Sequence, residues 1–261
     1  MRLSLQSLTT LLTVTLIAFS AAAPALAEKL VSAVSSSRVA ITSNFTGTQI
    51  LVYGEIARDA ETVSRTGNQD VVVVVEGPLE RVTTWRKDRI LGLWINATSQ
   101  TYIAVPSFYA VHATDDLRNI ASEDWLKQYR IGLENLPLAA LGTRAPATER
   151  KAFKEAFLRD RVQHGLYSQM SKSINFLSPT LFSTTVDLPA TIPTGDYKVT
   201  TFLFSGGVLL DSQEQVLTVA KIGFEQVTFN LSRQYPAVYG ALAIILALFT
   251  GWIAGVIFKK D

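Results

Sequence analysis

The amino-acid sequence predicts a mainly β protein with a helical insertion and one C-terminal transmembrane helix. Three observations carry that expectation. Apolar residues recur at strand spacing between turn residues from Arg38 to about Ala113, and again from Leu181 to Ala220. Between those stretches the period lengthens to three or four, and an uncharged apolar run fills Pro236 to Phe258. A period of two places alternate side chains on opposite faces of a strand, whereas three and four share one helical face.

The chain opens with Arg2, runs through an apolar stretch from Leu8 to Phe19 and reaches Ala25-Leu26-Ala27 before Glu28. Charge, apolar core and small residues in that order form a secretory signal, with cleavage expected after Ala27. An uncleaved anchor is the alternative, although the stretch is short and broken by threonines. The chain has no Cys, so lipid attachment at a new N-terminus, disulfides and thiolate chemistry are all excluded.

In residues 28–115, Val39 with Ile41, Ile50 with Val52, and the run Val71 to Val75 mark the first strands. The unbroken valine run suggests a central strand covered on both faces. Further strands are expected at Val82 to Arg86, Leu91 to Ile95 and Phe108 to His112, separated by turns at Asn44, Gly47, Gly67-Asn68, Gly77-Pro78 and Pro106. Residues 116–172 read as helical. Leu117, Ile120, Ala121 and Trp125 share one face, with Thr114, Asp115 and Ser122 available as caps. A second helix follows Pro146 and Thr148, aligns Phe153, Ala156 and Phe157, and can close at Gly165.

Strands return in residues 173–221, at Leu181 to Leu188, Tyr197 to Phe204, Gly207 to Leu210 and Gln215 to Ala220, with Gly206-Gly207 as a hairpin turn. Leu188 to Tyr197 joins a strand end, a tight connection and a Tyr entering the next strand. That resembles the corner of immunoglobulin-like β-sandwiches, in which a Tyr hydroxyl bonds back to the connecting backbone. One sandwich built from early and late strands is therefore expected, with two small β domains flanking the helices as the alternative. Residues 222–235 form an amphipathic membrane-entry segment, although Val227, Phe229 and Leu231 also permit a last strand.

Residues 236–258 span about 34 Å as a helix, enough to cross a hydrocarbon core of roughly 30 Å. Lys259 and Lys260 in the tail, 259–261, place that end in the cytoplasm and the bulk of the chain outside. With a signal at 1–27, the expected location is the bacterial inner membrane, single-pass, with the N-terminal domain in the periplasm.

Charge excludes one class of partner. Lys and Arg number 24, or 21 without Arg2, Lys259 and Lys260; Asp and Glu number 22, or 21 without Asp261. The exported part is formally neutral and has no basic footprint for nucleic acid.

Residues able to carry chemistry are sparse. His112 beside Asp115 and Asp116 is the nearest approach to a metal site, but an end-of-strand His next to a helix-capping Asp accounts for the same residues. No G-x-S-x-G or S-x-x-K motif is present, and no catalytic, cofactor-binding or metal residue is assigned. The most informative pattern lies in the anchor. Ala243, Ala247, Gly251 and Gly255 are small at every fourth position and form a groove along which another helix could approach closely.

Thr194-Gly195-Asp196-Tyr197, Ile222-Gly223-Phe224-Glu225, Tyr235-Pro236-Ala237-Val238-Tyr239-Gly240 and Gly251-Trp252-Ile253-Ala254-Gly255 together carry a resemblance. Over its full length the chain resembles an uncharacterised alphaproteobacterial family of transmembrane proteins of similar length. The resemblance implies topology and no activity. It also brings a sulfite-exporter-like permease into view as an encoded neighbour, which suits a helix built to pack against a multi-span membrane protein.

The expected function is that of an accessory or scaffold protein whose partner is a membrane protein or a second copy of the chain. The rival is a periplasmic hydrolase or small-ligand-binding enzyme with a site between sandwich and insertion, using His112, Asp115 and Glu134.

Overall fold

The computed structural model describes residues 29–57, 69–142, 147–222, 228 and 231–257. The expected signal at 1–27, the turn at Gly67-Asn68, Pro146, most of the entry segment and the tail lysines lie outside them.

Two sheets face each other. The first has the order β1 (Lys29–Val34), β3 (Gly47–Ala57), β11 (Leu181–Pro189), β10 (Asn175–Phe176). The second has the order β2 (Arg38–Ile41), β13 (Val208–Lys221), β12 (Gly195–Ser205), β4 (Gln69–Glu76), β7 (Tyr109–Ala113), β9 (Tyr167–Met170). Early and late strands are interleaved in both, since β3 pairs with β11 and β4 with β12. Two small independent β domains are therefore not what these strands form.

The valine run of β4 shows why. Val71, Val73 and Val75 point between the sheets, where they meet Ile50, Phe182 and Leu203. Val72 and Val74 point the other way into a second core with Ile120, Leu126, Phe153 and Phe157. Every residue of the run is buried because one face is covered by a sheet and the other by helices.

The helical layer comprises α1 (Leu117–Ile120), α2 (Glu123–Gln128) and α3 (Ala147–Gln163). Asp116 and Ser122 occupy the cap positions of α1 and α2 without a side-chain cap bond. Thr114 is not a cap: its hydroxyl donates to Asp70 at 2.8 Å and accepts from the Val71 amide, tying β7 to the start of β4. Gly165, at φ +69°, closes α3 as expected, with the Gly165 amide on Val162 and the Leu166 amide on Arg161. The stretch 116–172 is not wholly helical. It also contributes β9, parallel to β7, and the short β8 (Ala139–Leu141).

Two local expectations are met in detail. The Tyr197 hydroxyl donates to the Pro193 carbonyl at 2.6 Å across the corner. Gly206 and Gly207, at φ +57° and +84°, turn β12 into β13 with Ser205 opposite Val208.

The largest departure lies between Leu79 and Pro106. Instead of separate sandwich strands at Val82 to Arg86 and Leu91 to Ile95, the chain forms one long hairpin, β5 (Leu79–Ile90) and β6 (Leu93–Pro106). Leu91, expected to begin a strand, sits at φ +52° in the turn with Gly92. The hairpin pairs only with β8, outside both sandwich sheets. Alternation alone could not reveal this, because a strand in a two-stranded arm and a strand in a sandwich share the period of two.

The last element is α4 (Pro236–Ile257). Before it, residues 231–234 are helical and the Tyr235 amide bonds to the Leu231 carbonyl, so the described part of the entry segment is helix rather than strand.

Candidate functional site

Helix α4 is the candidate surface because it is apolar throughout and none of it is buried by the rest of the molecule. Its length and composition suit a membrane crossing. At 100° per residue, Ala243, Ala247, Gly251 and Gly255 advance by only about 40° per step, so all four lie on one side. A Cβ added at Gly251 or Gly255 would meet nothing within 4 Å. Their smallness is not required by any contact within the described residues, which leaves the face open to an approaching backbone.

Gly240 belongs to the same side, three residues before Ala243 and seven before Ala247, and its missing Cβ is equally unopposed. Strict four-residue spacing does not reach it, although its helical angle follows from its position in the sequence. Trp252 lies beside the stripe, exposed, with its ring 6.3 Å from that of Phe249. Thr250 turns its hydroxyl back onto the Leu246 carbonyl at 2.7 Å, satisfying it within the helix.

His112, Asp115 and Glu134 are each engaged elsewhere. His112 is buried and faces the space between the sheets, where its Nδ1 lies 2.8 Å from the Thr184 hydroxyl. That hydroxyl donates its one proton to the Ser173 carbonyl at 2.9 Å. Nδ1 of His112 therefore carries the proton and donates to Thr184. Burial lowers the pKa of His112, with the Asp187 carboxylate opposing that shift.

Asp115 is half-exposed at the surface. Its carboxylate accepts from the Asp116 amide and from Asn119, and Lys172 lies 3.7 Å away. Those bonds hold its pKa below the ordinary carboxylate value. Glu134, also exposed, lies 3.8 Å from Arg118. The three side chains thus have separate partners and opposite burial. Among the described residues, no group of three His, Asp or Glu side chains is placed to hold a metal ion.

Two shallow concavities lie on the described surface. One of about 270 Å³ lies between the hairpin and α3, bordered by Tyr102, Arg150, Lys151 and Lys154. A second of about 420 Å³ borders Ile41, Phe45, Pro193 and Lys221.

A family model described as "Putative transmembrane protein (Alph_Pro_TM)" matches residues 29–260. The chain belongs to that family. The match runs through both sheets, the hairpin, the helical layer and α4, so family membership attaches to the whole architecture. Comparison with curated proteins returns no match.

Proposed function

We propose that the chain is a membrane-tethered accessory or scaffold protein of the bacterial inner membrane. Its β domain stands in the periplasm, its C-terminus lies in the cytoplasm, and α4 docks along a helix of a membrane-protein partner. The observation that carries this reading is the small-residue face from Gly240 to Gly255, open along the exposed helix. Close backbone approach gains van der Waals contact where apolar side chains alone would gain nothing over lipid. A multi-span permease fits this face, and a second copy of the chain is the alternative occupant. The Arg2-to-Ala27 pattern and Lys259-Lys260 support the orientation.

Photo-crosslinkable residues at Ala247 and Gly251, installed in the full chain in its native membrane, test the partner. A discrete adduct from these positions, lost at Leu242 and Phe249 on the opposite side of the helix, is expected. Recovery of uncrosslinked monomer at all four positions removes the helix-packing reading.

A further inference from the structure

The arm formed by β5 and β6 ends in side chains that the fold leaves uncovered. Leu91 is 98% exposed, Leu93 69% and Trp94 68%, and Ile90 and Ile95 beside them are also exposed. These residues are not one face of a sheet. Ile90 pairs with Leu93 on one side of the ribbon, Trp94 pairs with Arg89 on the other, and Leu91 forms the apex. A groove or flat surface on a protein would cover one side only. An apolar tip bare on both sides suits a medium that surrounds it.

Helix α3 braces the arm as far as Arg86. Arg161 pairs with Glu80 at 2.6 Å, Arg86 with Glu149 at 2.9 Å, and the Tyr102 ring packs on Phe157 at 5.3 Å. Beyond Arg86 no third layer covers the ribbon among the described residues. Lys87 and Arg89 follow there, just behind the apolar tip, where two more positive charges can meet phosphate.

The root of the arm and the tether share one end of the sandwich. Gly195 opposes Val219, two residues before β13 ends at Lys221, and a Cβ on Gly195 would lie 2.8 Å from Pro78 at the foot of β5. The twelve residues of β5 extend about 40 Å. With residues 231–234 helical, the chain from Lys221 to Pro236 spans at most about 42 Å. The arm and the tether thus have about the same maximal reach from that end.

We propose that the hairpin tip, Ile90 to Ile95, inserts into the interface of an anionic phospholipid bilayer, with Lys87 and Arg89 on the headgroup phosphates. The tip goes no deeper than the headgroups and upper acyl chains, because the outer edges of both strands carry unpaired backbone groups that hydrocarbon would not satisfy. Trp94 occupies the level that aromatic side chains prefer. This inference rests on the membrane tether of the function proposed above and is independent of any helix partner.

The chain has no native Cys, so single thiols can be placed cleanly. Full-length Leu91→Cys and Val208→Cys, each carrying an environment-sensitive fluorophore, are reconstituted into phosphatidylglycerol/phosphatidylcholine vesicles containing lipids brominated near the headgroup. Val208 lies at the opposite end of the sandwich, by the Gly206-Gly207 turn.

Expected is strong quenching at position 91 and none at 208. With Lys87→Gln and Arg89→Gln, the inserted-to-free ratio falls about fivefold for each charge removed. In phosphatidylcholine alone, the charge effect disappears. A fluorophore at 91 that is unquenched, or that shifts to the blue without lipid quenching because it is buried against protein or a second arm, overturns the proposal. Flotation of the same vesicles reads the tether separately: chain that fails to float refutes the tether, whereas chain that floats with an unquenched tip refutes only the insertion.

Discussion

His112 shows how a residue that looks chemical in the sequence becomes structural in the fold. It shares the parity of Phe108 and Ala110, so it turns toward the inter-sheet core, and the Thr184 hydroxyl relays its one bond to the Ser173 carbonyl. The sequence shows the His at a strand end but cannot show which face of β7 the second sheet covers. The titration follows from burial. A His whose pKa is lowered in the fold binds fewer protons than in the unfolded chain. Its contribution is fully present above the unfolded value of about 6.5 and is lost as the pH falls through that value toward the lowered one. Full-length protein in detergent, melted between about pH 7.5 and about pH 5.5, should therefore lose more thermal stability than His112→Gln does over the same range. Parallel losses would mean that His112 is not held neutral.

Among the elements, the arm depends most on contacts remote in sequence. Phe157 of α3 is buried against Tyr102 of β6 and edge-on to Tyr167 of β9, joining helix, arm and sheet. Phe157→Ala should cost about 3–5 kcal/mol in the helical layer. Hydrogen exchange should then rise first in α3 and the base of β5 and β6, with β3 and β11 still protected; uniform loss across both sheets would contradict a separable layer.

Much of this level was legible in the sequence. The valine run announced a strand covered twice, Gly165 closed α3, and the Leu188 to Tyr197 corner foretold the Tyr197 hydrogen bond to Pro193. The arm was not legible, because its alternation of apolar and polar residues matches a half-buried sandwich strand and only the missing third layer distinguishes them. The same limit hid β9, whose pairing with β7 is parallel and sets no local turn signal. Of the candidate surface, the small face of α4 could be read directly, since helical period and residue size define it without tertiary contacts.

For the whole molecule, topology is the claim on which the others depend. The β architecture and α4 lie in one family match, whereas the proposed side of the membrane rests on charge: Lys259 and Lys260 directly after α4 are residues that favour the cytoplasmic side. Because no native Cys competes, Val208→Cys and Asp261→Cys separately report the two ends. In intact spheroplasts a membrane-impermeant maleimide should label position 208 at once and position 261 only after permeabilisation. Exchanging Lys259 and Lys260 for Gln should weaken that asymmetry. The opposite labelling order would place the sheets in the cytoplasm and overturn the periplasmic reading, although the packing face of α4 would retain its geometry.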